Sequence, residues 1–242
     1  MTQEHPFQPH PAPAVQRTDL LHRMLLVRHL TEHHAASPGS ISGDFPVHFH
    51  AGEEAVAAGL LAALGPSDAI VSTVGEPAFA NSFQWAIARA RDDVQSRRRG
   101  VTVCLVEAGG QPLAPWLDAA RRAQLPILFC SIAGTPPEPA GQEPCPDETA
   151  DCSDVEAVLT AARTSLRNVR DSGGARLLDL AGTYGPSRLD PIEVLALRMV
   201  TDHQLDDNAL CAIDTNAAAR AEATLAASVP EALASPPGGC QE

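Results

Sequence analysis

The chain of 242 residues contains no lysine; its 17 basic residues are all arginine. That absence excludes a Schiff-base lysine and the lysine of a phosphate-binding P-loop. Clustered positive charge is missing too. The formal net charge is −13, and Arg97-Arg98-Arg99 is the one basic cluster, placed where a surface helix would end. A phosphate track needs a basic face, so nucleic acid is not an expected partner. None of the six cysteines (Cys104, Cys130, Cys145, Cys152, Cys211, Cys240) belongs to a C-x-x-C pair. No apolar run reaches the roughly 20 residues of a membrane span, so no membrane partner is expected. The opening residues, MTQEHPFQPHPAPAVQ, lack the positive and apolar regions of a secretory signal. The expectation is a cytoplasmic protein with reduced thiols.

What is present is an alternation of helical and strand-like runs. Residues 1–18 are rich in Pro, Gln and His and read as a disordered lead. Thr18 or Asp19 can cap a helix from Leu20, with Leu20, Met24, Val27 and Leu30 near one face. A second helix is expected over 52–64, a short strand over 69–72 and a third helix over 78–94. The strongest strand signals are 101–106 and 126–130, continuous and apolar as buried parallel strands should be. Cys104 and Cys130 lie inside them and read as small buried hydrophobes. A helix over 116–124 connects the two strands. Residues 135–152, Pro-rich and acidic, read as a surface loop in which Cys145 and Cys152 are exposed thiols.

Ser153 or Asp154 caps a helix to about residue 169, followed by a turn at 171–174 and a strand at 176–180. Helices return within 190–235, at 191–202, with Pro in the first turn, and at 206–228, before a tail from 236 to 242. Strands separated by helices predict a doubly wound, mostly parallel α/β sheet, with residues 19–235 as one α/β domain ending in C-terminal helices.

Several segments carry a more specific signal. Phe49-His50-Ala51-Gly52-Glu53-Glu54-Ala55-Val56, Leu64-Gly65-Pro66-Ser67-Asp68, Leu125-Pro126-Ile127-Leu128-Phe129 and Asp190-Pro191-Ile192-Glu193 occur in that order, after a leucine-rich stretch at 22–29. Leu205-Asp206-Asp207 and Ile213-Asp214 follow. In this order they resemble the α subunit of thiamine-diphosphate-dependent 2-oxoacid dehydrogenases (E1α) over about residues 19–235. The resemblance implies a sheet of the thiamine-diphosphate-binding type. It also implies a site at the strand ends, at Val74, Gly75, Glu107, Gly109 and Gly110, with Glu76, Ala108, Ala133 and Gly134 beside them.

The departures from that pattern matter more. In the family, an Asp after the first central strand and an Asn after the second hold the Mg²⁺ of the cofactor diphosphate. Here the strands run out through Glu107-Ala108-Gly109 and Ser131-Ile132-Ala133-Gly134. Mg²⁺ takes about six oxygen ligands, and alanine offers no side-chain oxygen. Ser72-Thr73 passes directly into Val74-Gly75, without the family's intervening histidine-bearing stretch. The loop Tyr184-Gly185-Pro186-Ser187-Arg188-Leu189 is short and has no histidine.

The resemblance therefore implies thiamine diphosphate and Mg²⁺ as lost cofactors, and no catalytic or metal-binding residue. The chain is expected to be a non-catalytic subunit, structural or regulatory, joined to an E1β-like or E1α-like chain in a hetero- or homo-oligomer. The alternative is a divergent decarboxylating α subunit active only with a β partner.

Other residues offer weaker chemistry. His29, His33 and His34 can share a helix face and His48-Phe49-His50 alternates, but no carboxylate or cysteine completes a ligand set. Ser72, Ser82 and Ser131 lack a G-x-S-x-G context. Glu53-Glu54 resembles a paired carboxylate, although adjacent helical residues face apart and capping is the simpler role.

Overall fold

The computed structural model describes residues 14–36, 49, 52–72, 79–107, 113–132, 144–182 and 189–228. They form α1 (Ala14–Ala36), α2 (Glu54–Ala63), β1 (Ala69–Ser72), α3 (Phe79–Gln95), β2 (Thr102–Glu107) and α4 (Ala114–Arg122). There follow β3 (Ile127–Ile132), β4 (Glu148–Asp151), α5 (Val155–Ser172), β5 (Arg176–Ala181), α6 (Pro191–Thr201) and α7 (Asp207–Ser228). The five strands make one sheet, parallel throughout, in the order β1-β2-β3-β5-β4. The α/β architecture with C-terminal helices is as the sequence pattern predicts.

Two boundaries differ from expectation. α1 begins at Ala14, inside the segment read as a disordered lead and six residues before Leu20. Arg17, inside that segment, is only 4% exposed. It is held by Glu156 at 2.9 Å, by Gln204 at 3.2 Å and by Asp202. The Pro-rich 135–152 segment ends in a strand rather than a loop. β4 pairs with β5 from Glu148↔Leu178 to Asp151↔Ala181. Its sequence, ETAD, hides this, because on an edge strand only Ala150 needs to be buried.

Side-chain alternation along the strands builds two cores. Val103, Leu105, Leu128, Cys130, Leu178 and Leu180 pack under Val56 and Leu60 of α2 and Val158, Ala162 and Leu166 of α5. Cys104, Val106, Ile127, Phe129 and Leu177 meet Phe83, Ala86 and Ala90 of α3 and Leu117 and Ala120 of α4 on the other face. Phe83 and Trp116 stack there with ring centroids 5.3 Å apart, locking α3 to α4. Cys104 and Cys130 are buried as expected, and burial pushes the Cys104 thiol up to about 12 and Cys130 higher still. A third cluster, with Leu20, Leu21 and Met24 of α1, Leu159 of α5, and Leu195 and Met199 of α6, adds an outer helical layer over α2 and α5.

The connections explain the strand order. α3 and α4 carry the chain from β1 to β2 to β3 along one face. α5 carries it from β4 back to β5 along the other. Reversing direction while keeping a right-handed crossover requires the helix to change face. The reversal falls between β3 and β5, the switch point at which ligands of open α/β sheets bind.

At the opposite, amino edge Asp68 closes the structure. Its buried carboxylate accepts from Gly65 N at 2.7 Å and Val101 N at 2.9 Å and pairs with Arg170. Asp154 caps α5 through Glu156 N and Ala157 N, and Gly173, with φ of 65°, ends the helix.

Candidate functional site

At the carboxyl edge, Glu107 is the last residue of β2 and stands in register with Ile132, the last residue of β3. The two adjacent strands thus end level, and positions 108 and 133 follow from neighbouring ends. The remaining expected site residues, Val74, Gly75, Gly109 and Gly110, lie outside the described residues, as do Glu76, Ala108, Ala133 and Gly134.

Helices α2, α5 and α6 all start at this edge, and each start carries carboxylates bound by arginine. Arg28 reaches Asp190 with both terminal nitrogens, at 2.8 and 3.0 Å, and Glu54 through Nε at 3.1 Å. Asp190 also accepts from Ile192 N at 2.8 Å and so caps α6. Burial alone would push Asp190 up, but Arg28 and the Ile192 N–H hold it below the usual carboxylate range. Arg198 binds Asp154 at 2.7 Å and Glu156 at 3.3 Å, while Arg17 binds Glu156 from the other side. Asp154 is likewise held low by Arg198 and two backbone N–H groups against the opposing effect of burial. Within the Glu53-Glu54 pair, Glu54 is committed to Arg28. Glu54 is an ion-pair anchor that also accepts from Gly52 N at 3.2 Å.

One carboxylate at the edge is handled differently. Val106, Ser131, Asp179 and Thr149 form a lateral row across β2, β3, β5 and β4. Its apolar end lies under α3 and α4, while Thr149 is exposed. Asp179 stands in the middle, at the switch point, and forms no ion pair among the described residues. Burial raises its pKa, and a hydrogen bond from Ser131 only partly offsets this. A carboxyl group kept reluctant to ionise beside a hydroxyl can donate or accept a hydrogen bond to a ligand entering the β3–β5 crevice. Nothing in the sequence reading singled out Asp179. The available signal was an aspartate interrupting the apolar run Leu177-Leu178-Asp179-Leu180.

Replacing Asp179 with asparagine is expected to raise the unfolding midpoint at neutral pH. A folded-state pKa above the unfolded value favours folding only at low pH, and that contribution is lost as pH rises through the folded pKa. The gain from Asp179→Asn should therefore vanish below about pH 4, where the unfolded carboxyl is also protonated. Urea unfolding across that range measures it, and an equal midpoint at neutral pH would remove the argument.

The histidines and cysteines do not make a second centre. His29 Nε2 bonds Asp214 at 2.8 Å and His22 Nε2 bonds Asn216 at 2.9 Å, so both dock α1 against α7. His33 is exposed, the side chain of His34 lies outside the description, and so do His48 and His50. Among the described residues no group of three or more His, Cys, Asp and Glu is placed to hold a metal ion. Cys145 is exposed as expected, but Cys152 is not: it is 1% exposed and belongs to the core. It sits against Gly182, where any added Cβ would strike its sulfur. Among the described residues no helix is long and apolar enough to cross a membrane. Against known proteins, no family model matches this chain and no curated sequence matches it.

Proposed function

We propose that this chain is a non-catalytic, E1α-like subunit of a 2-oxoacid dehydrogenase-type assembly, structural or regulatory beside an E1β-like or E1α-like partner. The observation that carries the reading is the chemistry of the carboxyl edge. β2 and β3 end side by side, and the residues that follow are Ala108 and Ala133. Of the carboxylates at the helix starts there, Glu54, Asp154, Glu156 and Asp190 are each engaged by arginine. Freeing one for a cation would break an ion pair and strand a partly buried guanidinium. These donors do not fit the near-octahedral oxygen shell that Mg²⁺ demands.

Asp179 favours the second reading, a divergent decarboxylating α subunit that works with a β partner. A reluctantly ionised carboxyl at a switch point is a common property of working sites.

Titration of the purified chain with thiamine diphosphate and Mg²⁺, alone and with an E1β-type subunit, separates the two. The expected result is an unchanged melting temperature together with stable co-sedimentation of the two subunits. A ligand at a hundred times its Kd would add about 2.7 kcal/mol. A saturable, Mg²⁺-dependent rise therefore decides for the enzyme, and failure to co-sediment removes the subunit role.

A further inference from the structure

α6 buries one face and leaves an apolar stripe on the other. Ile192, Leu195 and Met199 are buried in the cluster formed with α1 and α2. On the opposite side Leu197 is 69% exposed and Val200 48%, with Leu189, 69% exposed, just before the helix. Leu197 and Val200 share a stripe with Glu193, at the i, i+4, i+7 spacing of one helix face. The stripe runs into a hollow of about 510 Å³ lined by Val200, His203, Gln204, Leu205, Asp206 and Asp207. Leu197 and Val200, exposed side by side on α6 next to a hollow, offer an apolar surface that a partner could cover.

The charges around it say by what. Glu193, Asp206 and Asp207 form no ion pair among the described residues, whereas Asp190 and Asp202, at the two ends of α6, are taken by Arg28 and Arg17. Asp206 uses one oxygen to cap α7 through Ala209 N at 2.8 Å and keeps the other. Arg198, the arginine within α6, is committed to Asp154 and Glu156. The surface thus combines Leu197 and Val200 with negative charge that is not paired among the described residues, and the arginine of α6 is already engaged. A second copy of a chain with net charge −13 would bring the same carboxylates against these and be repelled.

We propose that the outer face of α6, with the hollow at its C-terminal end, docks a basic amphipathic helix of a partner protein. Leucine-type side chains of that helix would lie on Leu197 and Val200, and its arginine or lysine side chains would meet Glu193, Asp206 and Asp207. The inference stands on α6 alone and does not depend on the subunit assignment above.

The test uses the full chain and a synthetic helix of about five turns, with leucines at i, i+3, i+4 and i+7 and arginines flanking them. A scrambled peptide of equal charge is the control. Saturable binding by anisotropy is expected for the amphipathic peptide and not for the scrambled one. Leu197→Glu should weaken it by roughly tenfold or more. The triple change Glu193→Gln, Asp206→Asn, Asp207→Asn should weaken it and flatten its salt dependence. Leu197 is mostly exposed, so Leu197→Glu should keep the wild-type circular dichroism and urea midpoint; a variant that loses them is replaced by Leu197→Ser for the same measurement.

Equal binding of the two peptides, binding unaffected at Leu197, or no binding at all overturns the proposal. So does a wild-type dimer in sedimentation that Leu197→Glu converts to monomer, since the occupant would then be a second copy.

Discussion

Replacing Arg28 with alanine is expected to cost about 3–5 kcal/mol of folding stability and lower the melting temperature by roughly 10 °C. The size follows from what is left behind. Glu54 is 2% exposed, and its second oxygen already lacks a hydrogen-bond partner. Removing Arg28 leaves a buried carboxylate without its counter-charge, and it also frees Asp190 from a two-nitrogen grip. Lysine at position 28 should recover only part of the loss, because a single ammonium nitrogen lacks the spread of three nitrogens with which Arg28 reaches Glu54 and both oxygens of Asp190. The double variant Arg28→Ala, Glu54→Gln should be clearly more stable than Arg28→Ala alone, since an amide is far cheaper to bury than an unpaired charge. If urea unfolding finds Arg28→Ala within about 1 kcal/mol of wild type, the clamp contributes no more than a surface pair.

Arginine pairs of this kind also shape stability in acid. Asp190 and Asp154 are held below their ordinary range in the folded chain. Their contribution is complete above the unfolded value of about 3.9 and drains away as pH falls through the lower folded values. In Arg28→Ala the Asp190 share disappears, so stability should fall less steeply below about pH 4 than in wild type. The absence of lysine acquires a structural meaning here. Arg17 and Arg28 each bridge two carboxylates from different helices, and Arg198 grips the two at the start of α5. A planar fork can do this, whereas a point charge does it poorly.

How much of this was legible depends on what kind of signal each element leaves. β2, β3 and β5 are apolar runs buried on both faces, so composition alone locates them. The caps at Asp154 and Asp190, and Gly173 at the end of α5, follow from short-range chemistry. β4 could not be read, because three of its four residues are polar and the pairing that makes it a strand comes from β5, later in the chain. The start of α1 was missed because Arg17 is buried by partners 139 and 185 residues away, and no local pattern carries that. For the site, the placement of Glu107 beside the end of β3 follows from two adjacent parallel strands. Asp179 was passed over because a single polar residue inside a strand reads as noise until its neighbours across the sheet, Ser131 and Thr149, are known.

Gly59 should be the least replaceable position of α2. In a helix interior, alanine is normally favoured over glycine by about 1 kcal/mol, so Gly59→Ala would stabilise an unconstrained helix. Here a Cβ would lie 2.7 Å from Cγ1 and 2.9 Å from Cβ of Val158, and 3.1 Å from the backbone N of Leu159. The valine is β-branched and buried, and the leucine nitrogen belongs to α5 itself, so neither can step aside without moving the helix. Gly59→Ala is therefore expected to destabilise by about 1–3 kcal/mol, and Gly59→Val by more. Val158→Ala alone should also destabilise, yet combined with Gly59→Ala it should restore part of the loss, giving a coupling of at least about 1 kcal/mol.

The effect should reach the edge of the sheet. Gly59 lies five residues after Glu54, and Val158 four after Asp154, so this contact sets the spacing of two helix starts that arginines tie separately to α6. Pushing α2 from α5 would move Glu54 away from Arg28 while Arg17 and Arg198 still hold Glu156. Gly59→Ala should then shrink the penalty of a subsequent Arg28→Ala, and a full, additive penalty in the double variant would show that the close approach of α2 and α5 does not position the clamp.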